Sequence, residues 1–120
     1  MSEHLKLGEE GEKAAAAYLQ GKSYAILELN WRYRRYEIDI IAHKDNFIIA
    51  VEVKTRTGSP LVEAERSITR DKQRRLIQAA NAYIQLNSLK EEVRFDIIII
   101  GVISGKQEIR HLEDAFYPMM

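Results

Sequence analysis

Residues 37–54, which read EIDIIAHKDNFIIAVEVK, decide the fold of this chain. Two β-rich runs, Glu37–Ala42 and Phe47–Thr55, lie on either side of His43-Lys44-Asp45-Asn46. Asp and Asn enter the left-handed backbone region more readily than other non-glycine residues, so Asp45-Asn46 suits a tight turn. The stretch therefore predicts a β-hairpin.

Charged residues alternate with apolar ones in both arms of this hairpin. Because successive side chains of a strand point to opposite faces, Glu37 and Asp39 share one face of the first arm. Glu52 and Lys54 likewise share one face of the second arm. A two-residue turn pairs residue 39 with residue 52 and residue 37 with residue 54, so the two acids and the lysine are expected to converge on one patch.

Two neighbouring carboxylates repel each other unless a cation neutralises them, and oxygen ligands with open water positions suit Mg²⁺ or Mn²⁺. Such an ion polarises a phosphodiester and lowers the pKa of bound water, while Lys54 holds the attacking water or offsets charge. The hypothesis is a metal site for phosphodiester hydrolysis at Asp39 and Glu52. The alternative is an exposed strand face with cross-strand Glu–Lys pairs, which is common and contributes little stability.

The rest of the chain predicts two helices and three further strands. Helices are predicted at Leu5–Gln20, which Gly21 ends, and at Arg70–Leu86, which Thr69 caps. Strands are predicted at Tyr24–Trp31 with a bend at Asn30, at Phe95–Ile103, and at Gln107–Leu112 after a turn at Ser104-Gly105-Lys106. Thr57–Ser67 is expected to be an irregular connection.

The predicted order α-β-β-β-α-β-β indicates an α/β fold with a mixed sheet. The portion from Phe47 to Ile103 runs strand, helix, strand, and a right-handed crossover of this kind joins parallel strands. Phe95–Ile103 is apolar enough to be covered on both faces, which implies helices on both sides of the sheet.

Two helical residues could add to the hairpin patch. Glu12 shares the apolar stripe of Ala15 and Leu19, and a carboxylate on an inward stripe needs a partner. Gln73 shares the face of Leu76 in the second helix. The alternatives are that Glu12 lies at the edge of its stripe and reaches solvent, and that Gln73 is an ordinary polar residue near a helix N-terminus.

Composition limits the possible classes of protein. The 120 residues, 46% hydrophobic and 30% charged, suit one compact domain, residues 1–120. The sequence has no cysteine, which excludes disulfides and thiolate metal sites and favours the cytoplasm. The N-terminus lacks the features of a signal peptide, and the longest apolar run, Ile97–Ile103, is too short to span a membrane.

The 18 basic and 18 acidic residues give a net charge of zero, which alone argues against a nucleic-acid partner. Basic residues nevertheless concentrate in residues 32–35, 54–56 and 66–75. A fold that brings these stretches together presents a positive face. For each stretch taken separately, the alternative is a solvated surface.

Ile38-Asp39 followed by Glu52-Val53-Lys54 resembles the motif of the PD-(D/E)xK nuclease superfamily. More closely, the sequence resembles the bacterial YraN family, which is related to archaeal Holliday-junction resolvases. The resemblance covers nearly the whole chain, in Gly8-Glu9-Glu10-Gly11-Glu12, Asn30-Trp31-Arg32, Glu37-Ile38-Asp39, Val51-Glu52-Val53-Lys54-Thr55-Arg56, Lys72-Gln73-Arg74-Arg75 and Arg94-Phe95-Asp96.

The resemblance implies a restriction-endonuclease-like fold in which Asp39 and Glu52 bind Mg²⁺ or Mn²⁺ and Lys54 assists the water. It makes Glu12 an acidic member of the metal site and Gln73 a helical contributor to catalysis. Tyr36 departs from the family pattern, in which glycine is expected before Glu-Ile-Asp, so the geometry of the substrate is in doubt.

The implied function is a metal-dependent endonuclease acting on structured DNA such as a Holliday junction. Junction resolvases act as homodimers because a four-way junction offers two symmetric cleavage points. The alternatives are a non-catalytic nucleic-acid-binding module that retains the fold, and an adaptor protein. The candidates for phosphate contact are Arg32, Arg34, Arg35, Arg56, Arg70, Lys72, Arg74 and Arg75.

Overall fold

The computed structural model describes residues 3–57 and 68–116, with the side chains of residues 3–7 left out. The elements are α1 (Glu3–Gly21), β1 (Ala25–Tyr33), β2 (Tyr36–Lys44), β3 (Phe47–Thr57), α2 (Arg70–Leu86), β4 (Glu92–Ile103) and β5 (Lys106–Phe116). This is the predicted order, and the predicted α/β class is confirmed. The connection predicted at Thr57–Ser67 begins at the last residue of β3, and its remainder lies outside the described residues.

The five strands form one mixed sheet in the order β1-β2-β3-β4-β5. Strands β3 and β4 are parallel, as predicted for the two strands joined through α2, and the other neighbours are antiparallel. Strand β5 extends beyond its predicted end at Leu112, because Phe116 still pairs with Phe95 after an irregularity in the register. The polar residues of that extension have no alternation that predicts a strand.

Two-residue turns close all three hairpins of the sheet, the first of them at Arg34-Arg35. Asp45 and Asn46 have φ of 50° and 68°, so the predicted turn is confirmed. Ser104 and Gly105 form the third turn with φ of 49° and 76°, and Lys106 begins β5 instead of belonging to the turn. Asn30, where a bend is predicted, lies within β1 and has a backbone in the left-handed region, with φ of 50°.

Each face of the sheet is covered by one helix, as the apolar sequence of β4 predicts. Ala15 and Leu19 of α1 pack in a cluster with Ile40, Val51 and Ile98. On the other face the buried cluster contains α2 residues Leu76, Ala79, Ala80 and Tyr83 and sheet residues Ile38, Ile41, Ile48, Ala50, Phe95 and Phe116. Burying each large aliphatic side chain stabilises the fold by about 1.5–3 kcal/mol.

The first residue of α2 is set by its cap. The hydroxyl of Thr69 accepts a hydrogen bond from the Lys72 N–H at 3.2 Å, as its predicted role requires, and Asp71 adds negative charge in the first turn. The cap fixes the backbone of Lys72 at the end of the helix nearest the candidate site. In the described ranges, neither helix combines the length and the apolar character needed to cross a bilayer.

A buried polar network lies on the side of the sheet covered by α1. Its centre is Asp96, which is 1% exposed. The carboxylate accepts two hydrogen bonds from Arg94, at 2.8 and 2.9 Å, and one from the Asp114 N–H at 3.0 Å. His111 Nε2 lies 2.7 Å from Asp96 Oδ2, and its Nδ1 lies 3.2 Å from the Tyr18 hydroxyl. The network therefore ties α1, β4 and β5 together.

Burial alone would raise the pKa of Asp96, but its hydrogen bonds with His111 and Arg94 outweigh burial and lower that pKa. The folded state thus binds the proton of Asp96 less tightly than the unfolded chain does. It follows that the ionised carboxylate stabilises the fold above the unfolded-state pKa of about 4. This stabilisation is lost as the pH falls through the lower pKa of the folded state.

Asp96→Asn is expected to lower the free energy of unfolding at pH 7 by about 3 kcal/mol, because it leaves the half-buried Arg94 guanidinium without the counter-charge of Asp96. Urea denaturation of parent and variant at pH 7 and pH 3 measures this difference, which should narrow at pH 3. Asp71→Asn, which removes an exposed carboxylate, is the control and should change stability by less than about 1 kcal/mol. An equal loss at both pH values would contradict the role given to the charge.

Candidate active site

The candidate site lies where β2 and β3 separate. Pairing of these strands ends at Ile40 with Val51. Beyond this pair β2 remains beside β1, and β3 remains beside β4 as far as Thr57. The predicted register is therefore confirmed for the paired part of the hairpin, but the ladder ends before residues 39 and 52, so the predicted pairings of residue 39 with residue 52 and of residue 37 with residue 54 are wrong. Glu37 instead pairs with Arg32 of β1, and their side chains form an exposed ion pair at 3.4 Å.

Asp39 occupies the point of separation. Its carboxylate Oδ2 accepts a hydrogen bond from the Val53 N–H at 2.8 Å. Ile38 packs in the cluster under α2, whereas Ile40 packs in the cluster under α1. Regular alternation, with Glu37 and Asp39 on one face, would place Ile38 and Ile40 together on the opposite face. The structure instead packs these two side chains on different sides of the sheet, because β2 departs from regular alternation where it leaves β3.

Asp39 and Glu52 line one cavity of about 220 Å³, as their predicted convergence requires. The other residues that line this cavity are Arg35, Tyr36, Glu37, Lys72, Arg75 and Leu76. Tyr36, the departure from the family pattern, thus forms part of the wall. Its ring reduces the space that a glycine at this position would leave open.

The surroundings of Asp39 destabilise its ionised form. Burial and the charge of Glu52 raise its pKa from 3.8 to about 7, against the opposing hydrogen bond from Val53. Glu12 also contributes repulsion, so this α1 side chain lies close enough to act on the site. The structure therefore brings together the three acids expected there, with Glu12 at the border and outside the cavity lining.

Gly11 lets α1 come close to the sheet. A Cβ atom at this position would lie 2.0 Å from Oγ1 of Thr55 and 3.2 Å from its Cβ. The contact requires a residue without a side chain at this point of the helix. Because Glu12 follows directly, Gly11 helps to hold that carboxylate near the diverging strands.

Glu52 is 5% exposed and has a cationic partner. Lys72 Nζ lies 2.5 Å from Glu52 Oε1. Burial alone would lower the pKa of Lys72, but the hydrogen bond and charge of Glu52 outweigh it and raise that pKa. The structure places Lys72, which the sequence suggested only as a phosphate contact, inside the acidic cluster. A helical signal for this position exists, since Lys72, Arg75 and Leu76 are spaced to share one face of α2.

Lys54 lies at the border of this cluster and does not line the cavity. Burial and the positive charge of Lys72 lower the pKa of Lys54, while the charge of Glu52 opposes this effect. Lys54 therefore releases its proton more readily than a fully solvated lysine does.

Gln73 is directed away from the acids. Its Nε2 lies 3.5 Å from the Ile68 carbonyl oxygen, and Gln73 is not among the residues that line the cavity. The next residue toward the N-terminus of α2, Lys72, takes the position beside Glu52. The acid Glu52 is thus contacted by Lys72, and the expected helical contributor Gln73 contacts the backbone of Ile68 instead.

Three of the eight basic residues proposed as phosphate contacts line the cavity, and the other five do not. Only Arg35, Lys72 and Arg75 line the cavity among the eight candidates, all of which lie in the described part of the chain. Arg32 and Arg74 form exposed ion pairs with Glu37 and Asp71. The remaining positions are Arg34, 5.3 Å from the Tyr33 ring centroid, Arg56 in β3 and Arg70 at the start of α2.

The donor set suits a hard divalent cation. Across residues 3–57 and 68–116, no group of three or more His, Asp or Glu side chains has the arrangement of a complete ligand set. Mg²⁺ commonly uses only one or two carboxylates and keeps several waters, so Asp39 and Glu52 are a sufficient pair. The raised pKa of Asp39 also shows that a cation would relieve repulsion at this point. The residues present therefore fit Mg²⁺ or Mn²⁺.

The mixed five-stranded sheet with a helix on each face defines a mixed α/β protein. The chain belongs to the uncharacterised protein family UPF0102, the YraN family, whose profile matches residues 11–100. It is 42% identical over 118 residues to a UPF0102 protein of Bacteroides thetaiotaomicron and 45% identical over 117 residues to one of Christiangramia forsetii. Each alignment covers 98% of both chains. The resemblance found in the sequence is thus confirmed at the level of the family.

Asp39→Asn is expected to raise the melting temperature at pH 8 by about 5 °C in the absence of divalent metal. The folded chain holds the proton of Asp39 more tightly than the unfolded chain, so parent stability declines as the pH rises from about 4 to about 7. Asparagine mimics the protonated acid and can still accept from Val53. Circular dichroism melts with chelator at pH 4 and pH 8 measure the effect.

At pH 4 the Asp39→Asn variant and the parent should melt at similar temperatures. Glu37→Gln, a change at an exposed acid of the same cavity, is the matched control and should shift the melting temperature less at pH 8. A variant that is less stable than the parent at pH 8 would show that the charge of Asp39 does not destabilise the fold.

Proposed function

We propose that this protein is a metal-dependent nuclease that hydrolyses phosphodiester bonds in DNA. The observation that carries the proposal is the convergence of Asp39 and Glu52 in one cavity bordered by lysine and arginine side chains. Structural ion pairs alone do not require a buried acid and a half-buried acid to approach each other at a cost to stability. Active sites commonly contain such costly arrangements.

Asp39 and Glu52 would hold Mg²⁺ or Mn²⁺, with Glu12 adding negative charge at the border. A bound ion of this kind supplies Lewis-acid polarisation of the phosphoryl group and a more acidic water. Lys54 Nζ would hold the attacking water or offset charge on the phosphate. Arg35 and Arg75 hold phosphates at the cavity without reading the base sequence.

The proposal extends to branched DNA, including Holliday junctions, as the substrate. Its support is the resemblance of the sequence to junction resolvases. A homodimer would supply two equivalent sites related by twofold symmetry, which matches the two cleavage points of a junction. Tyr36 narrows the cavity, which favours a substrate whose strands can separate at the point of cleavage.

A non-catalytic DNA-binding module is the second candidate function. The observation that favours it is the ion pair between Lys72 and Glu52, because this pair neutralises one of the acids without a metal. The two candidates differ in one outcome. The nuclease cleaves DNA when Mg²⁺ or Mn²⁺ is supplied, whereas the module binds DNA and leaves it intact.

The nuclease is tested with labelled junction, flap, duplex and single-stranded DNA in Mn²⁺, Mg²⁺ or chelator. We expect metal-dependent cleavage by the parent, and a loss of about a hundredfold or more in Lys54→Ala with metal and DNA binding retained. Single-turnover rates with protein in excess measure the chemical step. Lys54→Arg should restore the rate only in part, because a guanidinium differs from an ammonium in reach and hydration.

Lys90→Ala, at an exposed position in the connection before β4, is the control for loss of one lysine. It should cleave at the parent rate. If Lys54→Ala also cleaves at the parent rate, Lys54 has no catalytic role. If the parent binds DNA but cleaves no substrate in either metal, the binding module replaces the nuclease.

Arg75→Ala is expected to weaken DNA binding to a similar extent for all base sequences. The slope of log affinity against log salt concentration should fall in magnitude by about one, since one phosphate contact is lost. Fluorescence anisotropy of two unrelated duplexes at several salt concentrations measures both effects. Arg74→Ala removes an exposed arginine already paired with Asp71, and it should have the smaller effect. Binding that does not respond to salt would argue against phosphate contacts.

A further inference from the structure

The ion pair between Lys72 and Glu52 joins a fixed acid to an accessible cation. The Glu52 side chain is 7% exposed, whereas that of Lys72 is 40% exposed. Glu52 lies in the sheet beside β4, and its backbone is held on that side by the parallel ladder. Lys72 reaches it from the first turn of α2 through a flexible four-carbon stem. Lys72 can therefore leave this pair while Glu52 stays in place.

We propose that Lys72 is the counter-ion of Glu52 while no metal is bound, and that it becomes a phosphate ligand once metal takes its place. This inference rests on the proposed function, since it requires a metal at Asp39 and Glu52. Its consequence is that metal and DNA assist each other's binding. Whether Glu52 is occupied by metal or by Lys72 thus determines whether Lys72 is available to bind phosphate.

Lys72 and a divalent ion compete for the same carboxylate. Lys72 Nζ lies 2.5 Å from Glu52 Oε1, so the two groups are in direct contact as a charge-assisted hydrogen bond requires. A metal ion bound to Glu52 would repel this ammonium. The position beside Glu52 then becomes unfavourable for Lys72.

The cavity offers Lys72 another role. Lys72 lines it together with Arg35 and Arg75, so an ammonium released from Glu52 remains among groups suited to phosphate. The Thr69 cap keeps the backbone of Lys72 in place while the side chain moves. A phosphate in the cavity would in turn hold Lys72 away from Glu52 and favour metal binding. The coupling is equal in both directions.

The first test compares Mn²⁺ binding by the parent and by Lys72→Met, using calorimetry on the full chain without DNA. Removal of the competing cation should tighten Mn²⁺ binding by about tenfold or more, the effect of deleting a charged hydrogen bond. Lys106→Met, an exposed lysine at the start of β5, removes the same charge elsewhere and should leave the affinity near that of the parent. Lys72→Gln, which keeps a hydrogen-bond donor without the charge, tests competition if Lys72→Met does not fold.

The second test measures DNA affinity with and without Mn²⁺, using anisotropy of a duplex whose phosphorothioate linkages resist hydrolysis. Mn²⁺ should tighten DNA binding by the parent at least about fivefold, and by Lys72→Met much less. The difference in Mn²⁺ enhancement between the parent and Lys72→Met measures the phosphate contact of Lys72. The measurement involves no cleavage. Equal Mn²⁺ enhancement in both proteins would overturn the inference.

The outcomes separate the inference from the proposed function. If the parent binds Mn²⁺ and the Lys72 variants bind it no more tightly, the inference is wrong and the metal site stands. If neither the parent nor any Lys72 variant binds Mn²⁺, both the metal site and the inference fail. Mn²⁺ binding by Lys72→Met but not by the parent would support the exchange most directly.

Discussion

The hydrogen bond from the Val53 N–H to the Asp39 carboxylate is the contact on which the candidate site depends. It lies where β2 and β3 stop pairing, so a side chain of one strand takes a backbone donor of the other. The bond keeps Asp39 beside Glu52 although the strands diverge. The separation of the strands opens the cavity, and the bond prevents the acids from separating with it.

The buried charges on the two sides of the sheet differ in how well their surroundings stabilise them. Under α1, every hydrogen bond around Asp96 lowers the cost of burying its charge, and the network joins α1 to β4 and β5. Beside α2, Asp39 and Glu52 are held together against their repulsion, and Lys72 relieves only part of it. A stable network on one side thus accompanies a costly arrangement on the other. The sheet between them, with its buried isoleucines, supplies the stability that the acids reduce.

The sequence predicts most of the fold because its signals are local. The alternation around Asp39 and Glu52 and the turn at Asp45-Asn46 determine which residues face each other, so their convergence could be inferred before the structure was known. The pairing of Lys72 with Glu52 could not be inferred, because it depends on how α2 rests on the sheet. A rotation of about one residue, or 100°, along this helix is the difference between Gln73 and Lys72. The same limit applies to the partners of Asp96, which come from β4, β5 and the contact with α1.

The parallel pairing of β3 and β4 places α2 in the connection between these strands, and this has a consequence for the order of folding. The β2–β3 hairpin can form from neighbouring residues, whereas Lys72 reaches Glu52 only when α2 docks and the distant strand β4 is added. A chain folded only as far as the hairpin has both acids and lacks the cation from α2. Docking of α2 therefore adds a counter-charge to Glu52 in the same step that buries Leu76 and Tyr83, so charge pairing and apolar burial both favour completion of the domain.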